Sequence, residues 1–418
     1  MTVPWVSAQL ALNGAFFAPR LLARSGRLAR MAVPLWCPPG AWSTSLLRRI
    51  YWNAPNFYHP ELDRAPVSTM LAGKICFEVR QLFLRRPRSS WEFIQESNQS
   101  YERSLLRLLD SSEFEHIRKG PPGIFLSWSD ISLEAMRRFH AMGWKTVTMQ
   151  LNCGRLEEEI VVEECRRHPQ LAERFARAPD GFHERTLCEY RETDHIISNS
   201  TWGRDYLLGN GIPAEKISLV PFAHEGAVGD AIRRTYPSAF SKERPLRVLH
   251  LGQMSLRKGM ARLFEAIGLL KDLPIEFTFA GPSAIPKTPS FDGSSVRVLG
   301  VVSPGKVAEL YRESDVFIFP TLSDAFGLTQ LECMAWKLPL IASRHCGEVV
   351  RHGCNGLVLE EVTPESIAAA LRHCLAHPKD LDRWSAGCEV PPACTMESFS
   401  AALAEIERRL YPDRHSAA

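Results

Sequence analysis

"VFIFPTLSDAFGLTQLECMAWKLPLIAS", residues 316 to 343, reads as a strand, a loop, a helix and a second strand. Its first four residues are continuously apolar, β-branched or aromatic, as in a strand buried on both faces. Pro320 ends that strand because proline donates no hydrogen bond to a ladder. From about Leu328 the apolar residues Leu328, Leu331 and Ala335 recur at helical spacing, and "LPLIAS" restores a short apolar strand. This order is a parallel βαβ unit. Two carboxylates stand out, Asp324 before the glycine turn and Glu332 beside the apolar stripe. Burying a carboxylate costs several kcal/mol unless charge or hydroxyl groups meet it, so both ask for a partner.

The alternation continues outward. "LRVLHLG" (246–252) is a strand, "KGMARLFEAIGLLKDL" (258–273) a helix, "IEFTFAGP" (275–282) a strand, and "VRVLGVV" a further strand before the helix "PGKVAELYRESD". Consecutive βαβ units predict one doubly wound domain over 245–390. In the amino-terminal half, "GIFLSW" (123–128), "KTVTMQL" (145–151), "DHIISNS" (194–200) and "ISLVPF" (217–222) have strand-like length, with a helical insertion near 155–190. A second Rossmann-like domain is expected over 1–235, with "GDAIRRTYPSAFSKERPL" (229–246) as linker and 391–418 as a helix packing back on the first domain. The expected class is therefore α/β, two Rossmann-like doubly wound domains facing across a cleft, with ligands at the carboxyl ends of the strands.

Composition bounds the rest. With 418 residues, 45% hydrophobic and 23% charged, the chain is of ordinary globular type and large enough for two or three domains. Its eleven cysteines are odd in number and form no CxxC pair, which points away from a disulfide framework and fits a reducing cytoplasm. No apolar run approaches the roughly 20 residues of a bilayer span, and no leader peptide is apparent. A cytoplasmic protein is expected, with possible peripheral contact at the inner membrane face.

Charge is uneven. Residues 1–110 hold 14 Lys or Arg and 7 Asp or Glu, a net of +7, so the overall +3 leaves −4 for the remainder. Arg20, Arg24, Arg27 and Arg30 recur every three or four positions, which predicts one basic face on a helix. Such a face attracts anionic lipid or a phosphorylated acceptor; the plainer alternative is a solvated surface helix. No nucleic-acid partner is expected.

A second segment, "GQMSLRKGM" (252–260), follows the first strand of the second domain. Gly252 permits a tight turn, while Arg257 and Lys258 open the next helix and would neutralise a diphosphate, Arg by a fork and Lys as a point charge. The helix beginning near Gly327 would offer backbone amides to the same anion. Two cations, a helix start and two carboxylates on adjoining strand ends describe a nucleotide-sugar pocket. The plainer alternatives are a helix cap and a solvated helix residue for Asp324 and Glu332, and a surface pair for Arg257 and Lys258.

With those residues in view, the sequence resembles the family-four retaining glycosyltransferases of the GT-B fold, the glycosyl transferases group 1. "DAFGLTQLECMAWKLPLIAS" is similar to the family's acid, seven residues, then Glu, with Gly-Phe-Gly-Leu inside it. "HLGQMSLRKG" is similar to Gly-Arg-Leu-x-x-x-Lys-Gly, "RESDVFIFPTLSD" to an Ala-Asp-Val-Phe-Val-Phe-Pro-Ser run, and "GCNGLVL" to Gly-x-x-Gly-Leu-Leu-Val. The likeness covers roughly 185–390 and thins to fold level before that. It implies transfer of a sugar from a nucleoside diphosphate to a hydroxyl of a glycan or lipid-linked acceptor, with retention and without a cofactor or obligatory metal.

By the same resemblance, Asp324 touches the donor sugar, Glu332 the ribose, and Phe326, Gly327 and Leu328 offer amides. Lys258 takes the diphosphate, Gly300 to Val302 flank the base, and Gly14 in "LNGAFFAPRLL" lies near the phosphates and acceptor. Three departures stand beside the match. Asp324 replaces a Glu; Gln253 replaces the usual Arg, with Arg257 four residues on to supply charge; and no His follows "KTVTMQLN". These departures keep open a non-catalytic GT-B protein that binds a nucleotide sugar or a partner enzyme. A dinucleotide-dependent enzyme is disfavoured, since no G-x-G-x-x-G follows either first strand. His345, Cys346, His352 and Cys354 cluster in sequence, but their spacing fits no usual zinc finger.

Overall fold

Short, continuously apolar strands need helices on both faces, and the chain builds two sheets of that kind. The computed structural model describes residues 2–10, 16–40, 57–83, 90–172, 177–226, 232–286, 289, 291 and 295–414. Gly14 lies outside the described residues.

The first sheet contains β1 (Trp5–Ala8), β2 (Leu28–Val33), β3 (Val67–Thr69), β4 (Ile124–Trp128), β5 (Lys145–Met149), β6 (His195–Ser198) and β7 (Ile217–Leu219). Their order is β3-β2-β1-β4-β5-β6-β7, with all pairings parallel. The second contains β8 (Leu246–Leu251), β9 (Ile275–Ala280), β10 (Ser295–Val298), β11 (Val316–Phe319), β12 (Leu340–Ser343) and β13 (Gly356–Leu359), in the order β10-β9-β8-β11-β12-β13 and again parallel. The strand order reverses between β1 and β4 and between β8 and β11. At such a point the two following loops part to opposite faces and leave a crevice.

Helices α1 (Phe17–Arg24), α2 (Leu71–Phe83), α3 (Ser90–Asp110), α4 (Glu115–Lys119), α5 (Leu133–Ala141), α6 (Gly154–Arg167), α7 (Phe182–Glu192) and α8 (Thr201–Gly209) accompany the first sheet. The second carries α9 (Met260–Gly268), α10 (Pro304–Glu313), α11 (Thr329–Ala335), α12 (Pro364–Ala376) and α13 (Pro378–Gly387), and α14 (Met396–Leu410) follows. This last helix crosses to the first sheet: Glu407, buried, accepts from Trp5 Nε1 at 2.7 Å and from Arg27 Nη1 at 3.1 Å. Just beyond it, the Tyr411 hydroxyl donates to the Gly123 carbonyl at 2.8 Å.

The single arginine-faced helix does not form. Only Arg20 and Arg24 share α1; Arg27 lies in the turn after it and Arg30 on β2. Gly26, at φ +67°, ends the helical path, and the apolar run from Leu28 pairs with β1 instead. All four guanidiniums are engaged within the chain. Arg20, buried, meets Glu225 and Glu61; Arg24 also meets Glu61; Arg27 meets Glu407; and Arg30 donates to Ser68. Hydrogen bonds from Arg24 and then Arg20 hold the Glu61 carboxyl down to about 2.

Arg234, in the segment joining the sheets, donates to the carbonyls of Trp336 at 2.9 Å and Ser314 at 2.6 Å, and to that of Tyr311. These are carbonyls at the carboxyl ends of α10 and α11, where the helix supplies no N–H and the dipole favours a cation. Arg234→Met should lower the unfolding free energy by about 3 kcal/mol, because several buried acceptors lose their donor together. Urea unfolding checks this, and a loss below about 1 kcal/mol would mean that water meets those carbonyls instead.

Candidate functional site

The loops after β8 and β11 converge at the second reversal point. Gly259 sits at φ +74°, and a Cβ there would lie 2.0 Å from the Pro320 carbonyl, so only glycine lets the two loops touch. That approach brings Lys258 against Asp324 in a direct ion pair. Only 11% of the lysine side chain and 14% of the aspartate are exposed. The ammonium also lies 4.9 Å from the centre of the Phe319 ring. Burial, with the nearby Arg257 guanidinium adding, pulls the Lys258 ammonium down to about 7.

A cavity of about 290 Å³ opens beside this pair. Gly252, Gln253, Lys258, Asp324 and the run from Ala325 to Thr329 line it from the second domain. Trp128, Gln150, Leu151 and Phe222 close it from the first. Asp324 shapes its own loop: its Oδ1 accepts from the Phe326 amide at 3.3 Å while its backbone N–H donates to the His345 carbonyl at 2.9 Å. Gly327, at φ +80°, turns the chain into α11, and the backbone amides of Gly327 and Leu328 have no partner among the described residues. The wall thus combines one cation, one carboxylate and free N–H donors, a set that fits an anion joined to hydroxyl groups.

Sequence-predicted residues divide into four groups. Lys258, Asp324, Phe326, Gly327, Leu328 and Gly252 meet at the cavity. Glu332 stands a turn further along α11, half-buried, where its Oε2 accepts from the Tyr311 hydroxyl at 2.5 Å. Tyr311 is stacked on Trp336 with ring centres 6.2 Å apart. Gly300 and Val302 do not line this cavity; the Gly300 carbonyl accepts from the Gly281 amide at 2.7 Å, and Val302 packs at the edge of the core. Arg257 faces elsewhere. It donates to the Ser323 carbonyl at 2.9 Å and lies 3.6 Å from Glu157 on α6.

That contact belongs to a bridge between the domains. Ser323 donates to Glu157 at 2.9 Å and accepts from Trp202 Nε1 at 3.1 Å, and Trp202 packs on His345 at 4.5 Å. Further along α6, the buried Glu164 pairs with Arg262 of α9 at 2.6 Å. The cysteine and histidine cluster disperses: His345 packs on Trp202, buried Cys346 donates to the Ser343 carbonyl, and His352 Nδ1 accepts from the Val358 amide. Among the described residues no three His, Cys, Asp or Glu side chains converge as a metal site.

Trp128, Gln150 and Leu151 escaped the sequence reading, although they end or follow two of the recognised strands, where α/β ligands collect. Phe222, the last residue of "ISLVPF", escaped it too; it stands edge-on to Phe326 at 5.6 Å. Elsewhere in the first domain the half-buried Asp130 lies against the buried Glu189, with the Asp130 amide donating to Glu189 at 2.6 Å. Burial, helped by the Asp130 charge, raises the Glu189 carboxyl to about 8.

Two parallel doubly wound sheets with a ligand-sized crevice at their carboxyl edges define a GT-B protein. Residues 245–377 match the family described as glycosyl transferases group 1, so the second domain is a domain of that family. The chain is 28% identical over 198 residues to the "Amylovoran biosynthesis glycosyltransferase AmsK" of Erwinia amylovora, covering 44% of this chain and 47% of the relative. It is 33% identical over 207 residues to the "D-inositol 3-phosphate glycosyltransferase" of Rhodococcus jostii, covering 45% and 46%. The chain thus spans about half the length of these curated relatives. In structure it is similar to sucrose-phosphate synthase from Thermosynechococcus elongatus, with TM-score 0.66, 16% identity and coverage of 98% and 99%. It also resembles Anabaena Alr3699/HepE in complex with UDP, with TM-score 0.58, 13% identity and coverage of 97% and 99%. These two likenesses concern the fold.

With burial pulling it down to about 7, the Lys258 ammonium is progressively lost as pH rises through that value. Inorganic pyrophosphate is attracted by the charged form, so its affinity for the cavity should be highest below that pH. It should fall as pH rises through it, by up to about tenfold per unit. Calorimetric titration from roughly pH 6 to roughly pH 9 measures this. Lys258→Met should weaken binding and flatten the profile, and an equal slope in that variant would assign the dependence to another group.

Proposed function

We propose that this chain is a glycosyltransferase that moves a sugar from a nucleoside-diphosphate sugar to a hydroxyl acceptor with retention of anomeric configuration, in polysaccharide or glycolipid assembly. The observation that carries the proposal is the Lys258–Asp324 pair beside the free amides of Gly327 and Leu328, in one cavity of a group 1 domain. The printed role of the Erwinia amylovora relative, amylovoran biosynthesis, favours polysaccharide as the product class. Among the described residues no helix is long and apolar enough to cross a membrane. A cytoplasmic location with peripheral membrane contact is part of the proposal.

In the proposed reaction the donor diphosphate lies against Lys258 and the Gly327 and Leu328 amides, with Gly252 letting the phosphates approach the backbone. Asp324 exchanges its contact with Lys258 for a donor-sugar hydroxyl. The bond between the anomeric carbon and the diphosphate oxygen breaks, the acceptor oxygen bonds to that carbon on the same face, and the acceptor proton passes to the departing diphosphate. Fixed positive charge is strongest where the leaving group develops negative charge, which lowers the barrier. Glu332 holds the ribose with the carboxylate oxygen that Tyr311 leaves open, and Gly300 and Val302 flank the base. Phe326 shapes the sugar pocket, while Arg257 positions the Asp324 loop through Ser323 and Glu157. Gly14 remains assigned to the acceptor side by resemblance.

Lys258→Ala should lower kcat for donor hydrolysis or transfer by about 10²–10³-fold, the scale of losing one preorganised charge donor. Glu332→Gln, which still accepts from Tyr311, should raise the donor KM by about tenfold with the unfolding midpoint unchanged. A donor-hydrolysis and thermal-shift screen across nucleotide sugars identifies base and sugar, and unchanged turnover in both variants would refute the assignment. One observation favours a second reading: Gln253 lines the cavity where the family carries Arg, and Arg257 is committed to Glu157 and Ser323. A non-catalytic protein would bind a nucleotide sugar yet release no sugar to any acceptor.

A further inference from the structure

Helix α2 presents an apolar stripe to solvent. Phe77 is its buried contact, whereas Ala72, Ile75, Cys76 and Val79, spaced three and four apart on one face, are exposed. Ile75 and Val79 are each 44% exposed, and at the start of α3 Phe93 and Ile94 are 42% and 39% exposed. Ile75 and Val79 continue the stripe that Ala72 and Cys76 begin, an apolar face of the kind that marks an interaction surface.

Between α2 and α3 runs an open groove of about 540 Å³, with Ala72 and Cys76 on one wall and Arg80, Arg103 and Arg107 along it. None of these three arginines has an ion pair or hydrogen bond among the described residues. In contrast, Arg20, Arg24, Arg27, Arg137 and Arg185 are each matched to a carboxylate. Glu96, in the same groove, accepts from Gln81 at 3.5 Å. An apolar stripe alone would suit a protein partner. Joined to three unmatched guanidiniums, in the portion of the chain that carries a net charge of +7, it suits a surface that is both oily and anionic.

We propose that the outer face of α2, with the arginines of α3 beside it, docks on a bilayer containing anionic lipid. Ile75 and Val79 enter the headgroup and acyl boundary, and Arg80, Arg103 and Arg107 hold headgroup phosphates. The Arg20-to-Arg30 series, spent on internal partners, takes no part. The proposal does not rest on sugar transfer, since it concerns only how the first domain meets a membrane.

Co-sedimentation of the full chain with vesicles tests it. The protein should pellet with phosphatidylcholine vesicles containing about one-third phosphatidylglycerol and stay in solution with phosphatidylcholine alone. The triple variant R80Q/R103Q/R107Q should partition on the order of 100-fold more weakly, from three lost surface contacts. I75S/V79S should weaken binding as well, through the apolar contribution. Circular dichroism and the unfolding midpoint of each variant report that the fold is kept. A wild-type chain that ignores anionic vesicles at low salt, or a triple variant that binds like wild type, overturns the proposal. So does sedimentation velocity showing that I75S/V79S turns a dimer into a monomer while vesicles bind neither, because a second copy then covers the face.

Discussion

A nearly dry ammonium facing a nearly dry carboxylate is the interaction around which this molecule is arranged. Lys258 and Asp324 come from loops separated by 66 positions and by two crossover helices, yet the strand order places both at the one edge where the sheet reverses direction. Each charge alone would be costly there. Together they are tolerable, and each is also available to a ligand that offers the opposite chemistry, an anion for the lysine and hydroxyls for the aspartate. Close contact of the Gly259 backbone with the Pro320 carbonyl fixes the separation of the two loops, so the pair depends on a residue with no side chain.

The first domain supplies the opposite wall and the means of holding it. Trp128, Gln150, Leu151 and Phe222 face the pair. Gln150 is itself fixed, accepting from Ser198 at 2.7 Å and donating to the Gly203 carbonyl at 3.0 Å. Helix α6 crosses the gap, with Glu157 meeting Ser323 beside Asp324 and Glu164 meeting Arg262. The two domains are therefore joined by polar contacts beside the cavity, one of them on the residue before Asp324.

Much of the second domain was legible because its signals are local. A buried strand, a glycine turn and a helix follow one another within residues 316 to 343, and the ligand edge of such a unit is fixed by topology. The first domain was harder. "WVSA", "LARMAV" and "VST" are short, and the second lies among arginines whose spacing imitates a helix; pairing with neighbours far along the chain made them strands. The same blindness affected Arg257. Its position in the motif suggested a ligand contact, but Glu157, a hundred positions earlier, draws it away.

Residue order alone determined the α/β class, the run of βαβ units and the identity of the charged groups at the strand ends, because hydrophobic period and turn chemistry act over a few neighbouring residues. Tertiary structure decided which of those groups meet. Lys258 joins Asp324, Glu332 joins Tyr311, Arg257 leaves the cavity, and the basic series at Arg20 is neutralised while the arginines of α2 and α3 remain open. Partnership between charges depends on distance and on exclusion of water, and both exist only once strands far apart in the chain have been laid side by side.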